Sequence, residues 1–581
     1  MSITKRLLLL LVVFSAALLI LPMRLFYLQV VRHDFYLSKS VDQRTRIIIL
    51  AADRGDILDR NGNLLAASID TCSVFAVPGK IKNKEAVAAK LSGILGIPKY
   101  TVLNMVYSDR PFVWVARKVD KKLGDRVRKA GLEGIGVPQE KKRVYPKGSI
   151  ASQVIGFVGM DNQGLSGIEL GFDKYLKGVE GRLVTESDPR GRELVGAHAR
   201  EIQSPTEGLA VVLTIDETVQ YIAERELKAA IGEHGADAAT IIVMDVKSGE
   251  ILAMASKPDF DPNRYLKYSP SLWQSGAVLD VYEPGSTFKL VTVAAALEDG
   301  AVGLKDRIKC PPQIKIGGRT IRNAHRLKDI GETATVSEII THSINTGTSA
   351  IAMELGEKKL HDYIRLFGFG ERTNVGIPGE TRGIVRDVEN WSKPDIATIS
   401  FGQGIAVTPL QMLSAVATIA NGGRRVKPSL VKRIESVDRD FVKTFPRQDM
   451  GRVISEKTAD DVKKMMRMVV EEGTGKYAKI AGFSVGGKTG TAQLISREVR
   501  ETLSDEAKER FTHNAWFAGF APLEDPEIVI AVIVQSGGGG GVSAAPIAGR
   551  IFDAYYHKTR GLEKGPGPGT TATTEEEDRP L

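Results

Sequence analysis

The chain has 581 residues, 43% of them hydrophobic, so it can bury a large core and should divide into two or more domains. Its formal charge is +9, and almost the whole excess sits between residues 110 and 147, where twelve Lys or Arg face four Asp or Glu. Such a run is usually a solvated face, suited here to anionic head groups, and with no nucleic-acid module around it nucleic acid is set aside as a partner. Two cysteines, Cys72 and Cys310, and eight histidines without ligand spacing point to no disulfide framework and no metal, and no cofactor is expected.

Leu7 to Met23 is uncharged and apolar and would span about 25 Å as a helix at ~1.5 Å per residue. That is slightly short of a ~30 Å hydrocarbon core, and Leu25-Phe26-Tyr27-Leu28 extends it if Arg24 snorkels. No small-x-small cleavage site follows Leu21, so residues 7–28 read as an uncleaved, single-pass signal anchor. Lys5 and Arg6 place the tail, residues 1–6, in the cytoplasm and the rest of the chain outside it.

Val30 to Gln43 reads as a short helical stem, and Ile57-Leu58 and Leu64-Leu65 flank Asn61-Gly62 as a β-hairpin. Asn83 can cap a helix over Lys84–Leu95. Residues 29–205 are read as one elongated α+β module whose return arm passes Gly164 to Arg192.

A second, larger domain is expected over 206–558. Ala210–Ile215 reads as a strand, and Asp216 caps a helix running to Ile231. Ala239–Val246 and Glu250–Ala255 form a hairpin about Lys247-Ser248-Gly249. Three apolar strands near Lys488–Gln493, Ala515–Phe520 and Ile528–Val534 precede a helix over Pro546–Lys558. The expected fold class is α+β and multidomain, the larger domain a sheet with helices on both faces. Residues 559–581, rich in Gly, Pro, Thr and Glu, cannot build a core and are expected to be disordered.

Between these strands lies the chemistry. Pro284-Gly285-Ser286-Thr287-Phe288-Lys289 opens an apolar helix closed by Gly300, which sets Lys289 one turn beyond Ser286. A serine hydroxyl needs a neighbouring base, and no histidine has a convincing relation to Ser286, so Lys289 is the candidate. Burial and a second positive charge, Lys488, favour its neutral amine. The N–H groups of Ser286 and Thr491 are candidates for an oxyanion hole. Ser2 to Lys5 and Ser429 to Lys432 repeat the Ser-x-x-Lys spacing but open no comparable helix. Gly482 to Thr489 satisfies the P-loop expression, yet a strand rather than a helix should follow it, so the match is rejected. Gly537 to Gly541 reads as a flexible turn before the last helix.

The ordered set Ser286-x-x-Lys289, Ser343-Ile344-Asn345 and Lys488-Thr489-Gly490-Thr491 resembles the signature of the penicillin-binding proteins. Phe401-Gly402-Gln403-Gly404, Gly473-Thr474-Gly475 and His513 to Gly519 resemble the same transpeptidase module. Arg54 to Gly62 and Gly164 to Glu169 resemble the non-catalytic, dimerisation-like pedestal of the monofunctional class B members, and Glu283–Lys289 is most like their septal, cell-division branch. The resemblance implies a D,D-transpeptidase of the bacterial inner membrane, its catalytic domain periplasmic, acting on peptidoglycan stem peptides that end in D-Ala-D-Ala and acylated by β-lactams.

In that reading Ser286 attacks with Lys289 as base, Ser343 relays a proton to the leaving amine and Asn345 binds the donor amide. Lys488 and the hydroxyls of Thr489 and Thr491, about Gly490, recognise the terminal carboxylate. A polytopic glycosyltransferase and other membrane proteins of the division machinery are the implied partners. A hydrolase on the same fold, an elongation or sporulation enzyme, and a non-catalytic division scaffold remain alternatives.

Overall fold

The computed structural model describes residues 2–186, 201–324, 332–493, 513–535 and 539–559. The expected tail lies outside them from residue 560 onward. The chain forms two compact units, residues 1–53 with 178–208, and residues 54–177 with 209–581.

The first unit begins with helix α1 (Ile3–Phe26), whose last turn runs on as a wider π-turn over Tyr27–Val31. Within Ile3–Val31 the most apolar 18-residue window has a mean hydropathy of 2.5 and none of it is buried in the protein, and the helix is long and apolar enough to cross a membrane. At ~1.5 Å per residue the whole helix is roughly 44 Å long, more than a ~30 Å hydrocarbon core, with Arg24 inside it. The helix runs uninterrupted through Arg24, which lies 5.7 Å from the Tyr27 ring. The stem follows as a helix over His33–Arg44. Thr45–Leu50 then pairs antiparallel with Gly181–Glu186, which in turn pairs with Glu201–Gln203.

In the second unit the expected hairpin forms about Gly62, at φ 91°, with Ile57 opposite Ala66. Its first strand also pairs in parallel with Ala210–Leu213, so residues near the start and middle of the chain share one eight-stranded sheet. Asn83 caps Lys84–Leu95 by accepting from the Ala86 N–H. The two segments that resemble a pedestal meet in the interior. Arg54 Nε and Arg143 Nε donate to opposite oxygens of Glu169 at 2.6 and 2.7 Å, and Arg54 also reaches Asp173 at 2.6 Å. Glu169 is wholly buried, so its charge depends on this pairing.

The sheet that carries the site has five strands. They are β1 (Ala239–Asp245), β2 (Ile251–Lys257), β3 (Gly486–Gln493), β4 (His513–Ala521) and β5 (Ile528–Val534), in the order β2-β1-β5-β4-β3, all neighbours antiparallel. β5 reads Ile-Val-Ile-Ala-Val-Ile-Val and is buried throughout, since both faces of the sheet are covered. Alternate residues serve opposite cores. Ile530 and Val532 join α2 (Glu217–His234) and α6 (Ala544–Asp553), whereas Val529 and Ile533 join α3 (Lys289–Glu298) and α5 (Pro409–Ala420). The last helix begins two residues before the expected Pro546 and ends at Asp553, after which a π-turn runs to Thr559. Lys488 and Thr489 lie inside β3, which is not a phosphate loop.

Replacing Glu169 by Ala would leave two arginines facing an emptied pocket. A loss of about 3–5 kcal/mol in unfolding free energy is expected, read by urea unfolding of the detergent-solubilised protein, and an unchanged midpoint would count against the pairing.

Candidate active site

Gly285–Phe288 is a tight 3-10 turn and Lys289 is the first residue of α3 proper. In a 3-10 turn residues i and i+3 eclipse, so the local geometry sets Lys289 beneath Ser286 more directly than an α-turn would. The turn is pinned from two sides. Gly285 has φ 55°, and a Cβ there would come within 2.8 Å of the Thr491 carbonyl of β3; a Cβ at Gly402 would meet the Gly285 carbonyl at 2.3 Å. Glu283 steadies the approach by accepting from the Gly404 N–H at 2.8 Å.

Ser343 lies between two helices, Val336–Thr341 and α4 (Asn345–Leu355). The first is fixed by a reciprocal capping box of Thr335 and Glu338. Ser343 itself stands at φ 58°, a left-handed conformation that costs a non-glycine residue about 1–2 kcal/mol. The turn carries its hydroxyl between two lysines. Lys289 Nζ lies 3.2 Å and Lys488 Nζ 3.1 Å from Ser343 Oγ.

Both amines are fully buried. Lys289 also donates to the Ser343 carbonyl at 2.6 Å and to Asn345 Oδ1 at 2.7 Å. Asn345 Nδ2 donates to the Arg322 carbonyl at 3.0 Å, which fixes the orientation of the amide and leaves its oxygen facing Lys289. Lys488 donates to the Thr489 carbonyl at 3.1 Å. Among the described residues no carboxylate pairs with either lysine. Burial, and then the charge of Lys488, hold the Lys289 amine well below the ordinary lysine range. Burial alone pushes Lys488 down to about 7.

A neutral Lys289 has two protons, and two of its neighbours, the Ser343 carbonyl and Asn345 Oδ1, can only accept. Its lone pair is then left for a hydroxyl. The Ser343 hydroxyl can accept from one amine while donating to the other, which makes it a path for a proton between them. Ser286, half-buried, lines the adjoining cleft of about 730 Å³ together with Ser343, Asn345, Thr489, Gly490 and Thr491. Among the described residues no hydrogen bond joins Ser286 Oγ to Lys289 Nζ.

All eight residues singled out from the sequence therefore lie in or directly behind one cleft, but not all in the places expected. Lys488 stands behind the cleft surface instead of on it, and Thr489 Oγ1 is engaged with Thr474 Oγ1 at 2.5 Å. Gly539, Gly540 and Gly541, read from sequence as a mere turn, form part of the cleft wall. A Cβ at Gly540 would meet the Gly490 carbonyl at 2.3 Å, so the turn is pressed against β3. Arg322, Lys476 and Tyr477 also line the cleft and carry no sequence signal that would have singled them out.

A serine on a tight turn, beside a buried pair of lysines and a strand at the edge of its sheet among the described residues, is an arrangement suited to acyl transfer. The comparisons agree: residues 239–553 match the penicillin binding protein transpeptidase domain and residues 49–213 the penicillin-binding protein dimerisation domain. The chain belongs to the class B penicillin-binding proteins. It is 36% identical to stage V sporulation protein D of Bacillus subtilis, over 95% of this chain and 85% of that one. It is 30% identical to the peptidoglycan D,D-transpeptidase FtsI of Escherichia coli, over 91% and 87%. The solved structure of penicillin binding protein 3 of Mycobacterium tuberculosis with aztreonam matches at a TM-score of 0.68 and 28% identity, covering 90% of this chain and all of that one.

Each amine is charged below its pKa and neutral above it, so acylation of Ser286 by a penicillin should fall as pH drops through the lowered pKa of Lys289, by roughly tenfold per unit once that amine is mostly protonated. Lys488→Met removes a charge that holds the Lys289 pKa down, and should move this limb to higher pH. Stopped-flow acylation across pH 5 to 9 checks both; a flat profile in the wild type would contradict the reading. Gly402→Ala, by pushing on the Gly285 carbonyl, should slow the same acylation at least about tenfold, as ångström-scale displacement of a nucleophile does.

Proposed function

We propose that this protein is a peptidoglycan D,D-transpeptidase that cross-links stem peptides through an acyl-enzyme on Ser286, acting in septal wall synthesis during cell division. The observation that carries the reading is the pair of buried amines, Lys289 and Lys488, about Ser343 and directly behind the Ser286 cleft. Ser286 Oγ attacks the carbonyl of the penultimate D-alanine and its proton passes to the Lys289 amine. The N–H groups of Ser286 and Thr491 face the developing oxyanion. The Ser343 hydroxyl delivers a proton to the departing D-alanine amine, and Asn345 holds the donor amide. An amine from a neighbouring stem then attacks the acyl-enzyme and restores Ser286.

The hydroxyls of Thr489 and Thr491, about Gly490, take the terminal carboxylate, and Lys488 supports them with its position behind the strand. β3 is the edge of its sheet among the described residues, so an extended peptide can lie along it. Residues 7–28 act as a single-pass anchor with residues 1–6 in the cytoplasm, residues 29–205 as the pedestal and residues 206–558 as the periplasmic transpeptidase domain. β-Lactams acylate Ser286. A polytopic glycosyltransferase and other division-machinery membrane proteins are the proposed partners. The likeness to FtsI supports the septal assignment. The likeness to the sporulation protein, at higher identity, favours a second reading in which the same chemistry serves spore wall synthesis.

Fluorescent penicillin should label the wild type and leave Ser286→Ala unlabelled; an unlabelled wild type would favour a scaffold. With a donor stem and an amine acceptor the product should be a cross-linked dimer, and release of free tetrapeptide alone would make the enzyme a hydrolase. A tagged copy should gather at the division site, whereas lateral or forespore fluorescence would overturn the septal assignment.

A further inference from the structure

The cleft wall is one-sided in charge. Arg322, Lys476 and His513 line it, and no Asp or Glu does so among the described residues. Arg322 and Lys476 come to the cleft from separate segments of the chain. Arg322 ends the hairpin Gln313–Arg322, where its carbonyl accepts from Asn345 Nδ2 at 3.0 Å and the next residue, Asn323, accepts from the Thr346 N–H at 3.0 Å. That fixes its backbone to the start of α4, beside Ser343. Lys476 follows Thr474, which is tied to Thr489 of β3, and its ammonium lies 5.2 Å from the Tyr477 ring centroid.

Arg322 spends Nε on Gln313 Oε1 at 3.2 Å, and no carboxylate pairs with either cation among the described residues. Arg54, Arg117 and Arg424 each have an acidic partner. Two cations at the mouth of a cleft with no acid to answer them suit an anionic ligand. The terminal carboxylate is already assigned to Thr489 and Thr491, deeper along β3.

We propose that Arg322 and Lys476 form a second carboxylate subsite, which takes a free side-chain or α-carboxylate on the acyl side of the donor and makes the enzyme select carboxylated over amidated stems. The proposal rests on the transpeptidase reading and names the specificity of that same site. Both cations are exposed, so the effect is modest in size and falls with salt.

Benzylpenicillin and carbenicillin differ by one carboxylate on the acyl side chain. Their acylation efficiencies should be measured for the full-length protein in detergent, and the ratio of carbenicillin to benzylpenicillin compared within each variant, which cancels general damage to the site. In Arg322→Gln/Lys476→Gln that ratio should fall roughly five- to tenfold, the effect of losing charge-assisted contacts, and Arg322→Lys/Lys476→Arg should restore most of it. A ratio equal in wild type and double variant overturns the subsite alone. Failure of benzylpenicillin to acylate Ser286 overturns the functional reading and the subsite with it. Release of D-alanine from stem pentapeptides amidated in turn at the second or third residue identifies the carboxylate concerned, and equal loss of rate with the unamidated and both amidated peptides in the double variant would assign the cations to the terminal carboxylate and overturn the proposal.

Discussion

Two lysine amines without a carboxylate, buried on either side of one hydroxyl, are the constraint on which the site depends. An isolated ammonium moved into a protein interior loses its hydration, and a second positive charge beside it adds repulsion, so the stable arrangement is one in which at least one amine is neutral. The protein spends its fixed acceptors accordingly. The Ser343 carbonyl and Asn345 Oδ1 on Lys289, and the Thr489 carbonyl on Lys488, orient the amines without neutralising them. A carboxylate in any of these places would stabilise the charged form instead.

Holding amines in that state demands surroundings that cannot relax. The close backbone contacts at Gly285, Gly402, Gly490 and Gly540 supply them, because each lets a main chain come nearer than a Cβ would allow. A sheet packed on both faces carries β3 past the Ser286 turn, and α3 and α5 fill the core beneath it. The left-handed Ser343 fits the same pattern, a small local cost that the capped helices on either side can hold.

Much of this was legible in the sequence. The hairpin at Asn61-Gly62, the Asn83 and Asp216 caps, the β1–β2 hairpin and the three late strands all announced themselves through turn chemistry and apolar runs. Ser286 and Lys289 were picked out by spacing, and Ser343, Asn345 and Lys488 by resemblance to a known signature. What spacing could not convey is depth: whether Lys488 stands on the cleft surface or behind it depends on packing between β3 and helices far away in the chain. The same is true of Arg54 and Glu169, visible as separate motifs whose meeting in a buried ion pair needs the folded chain. Glycines 539–541 looked like a linker because a turn and a cleft wall have the same composition.

The protonation of the two lysines is read most directly by a ¹³C NMR titration of the lysine ε-carbons in protein labelled at lysine, with Lys289 and Lys488 assigned through arginine variants. The account predicts that both resonances titrate well below the ordinary lysine value of about 10.4, with Lys488 near 7. Two amines that stay protonated up to about pH 10, like the surface lysines, would contradict it.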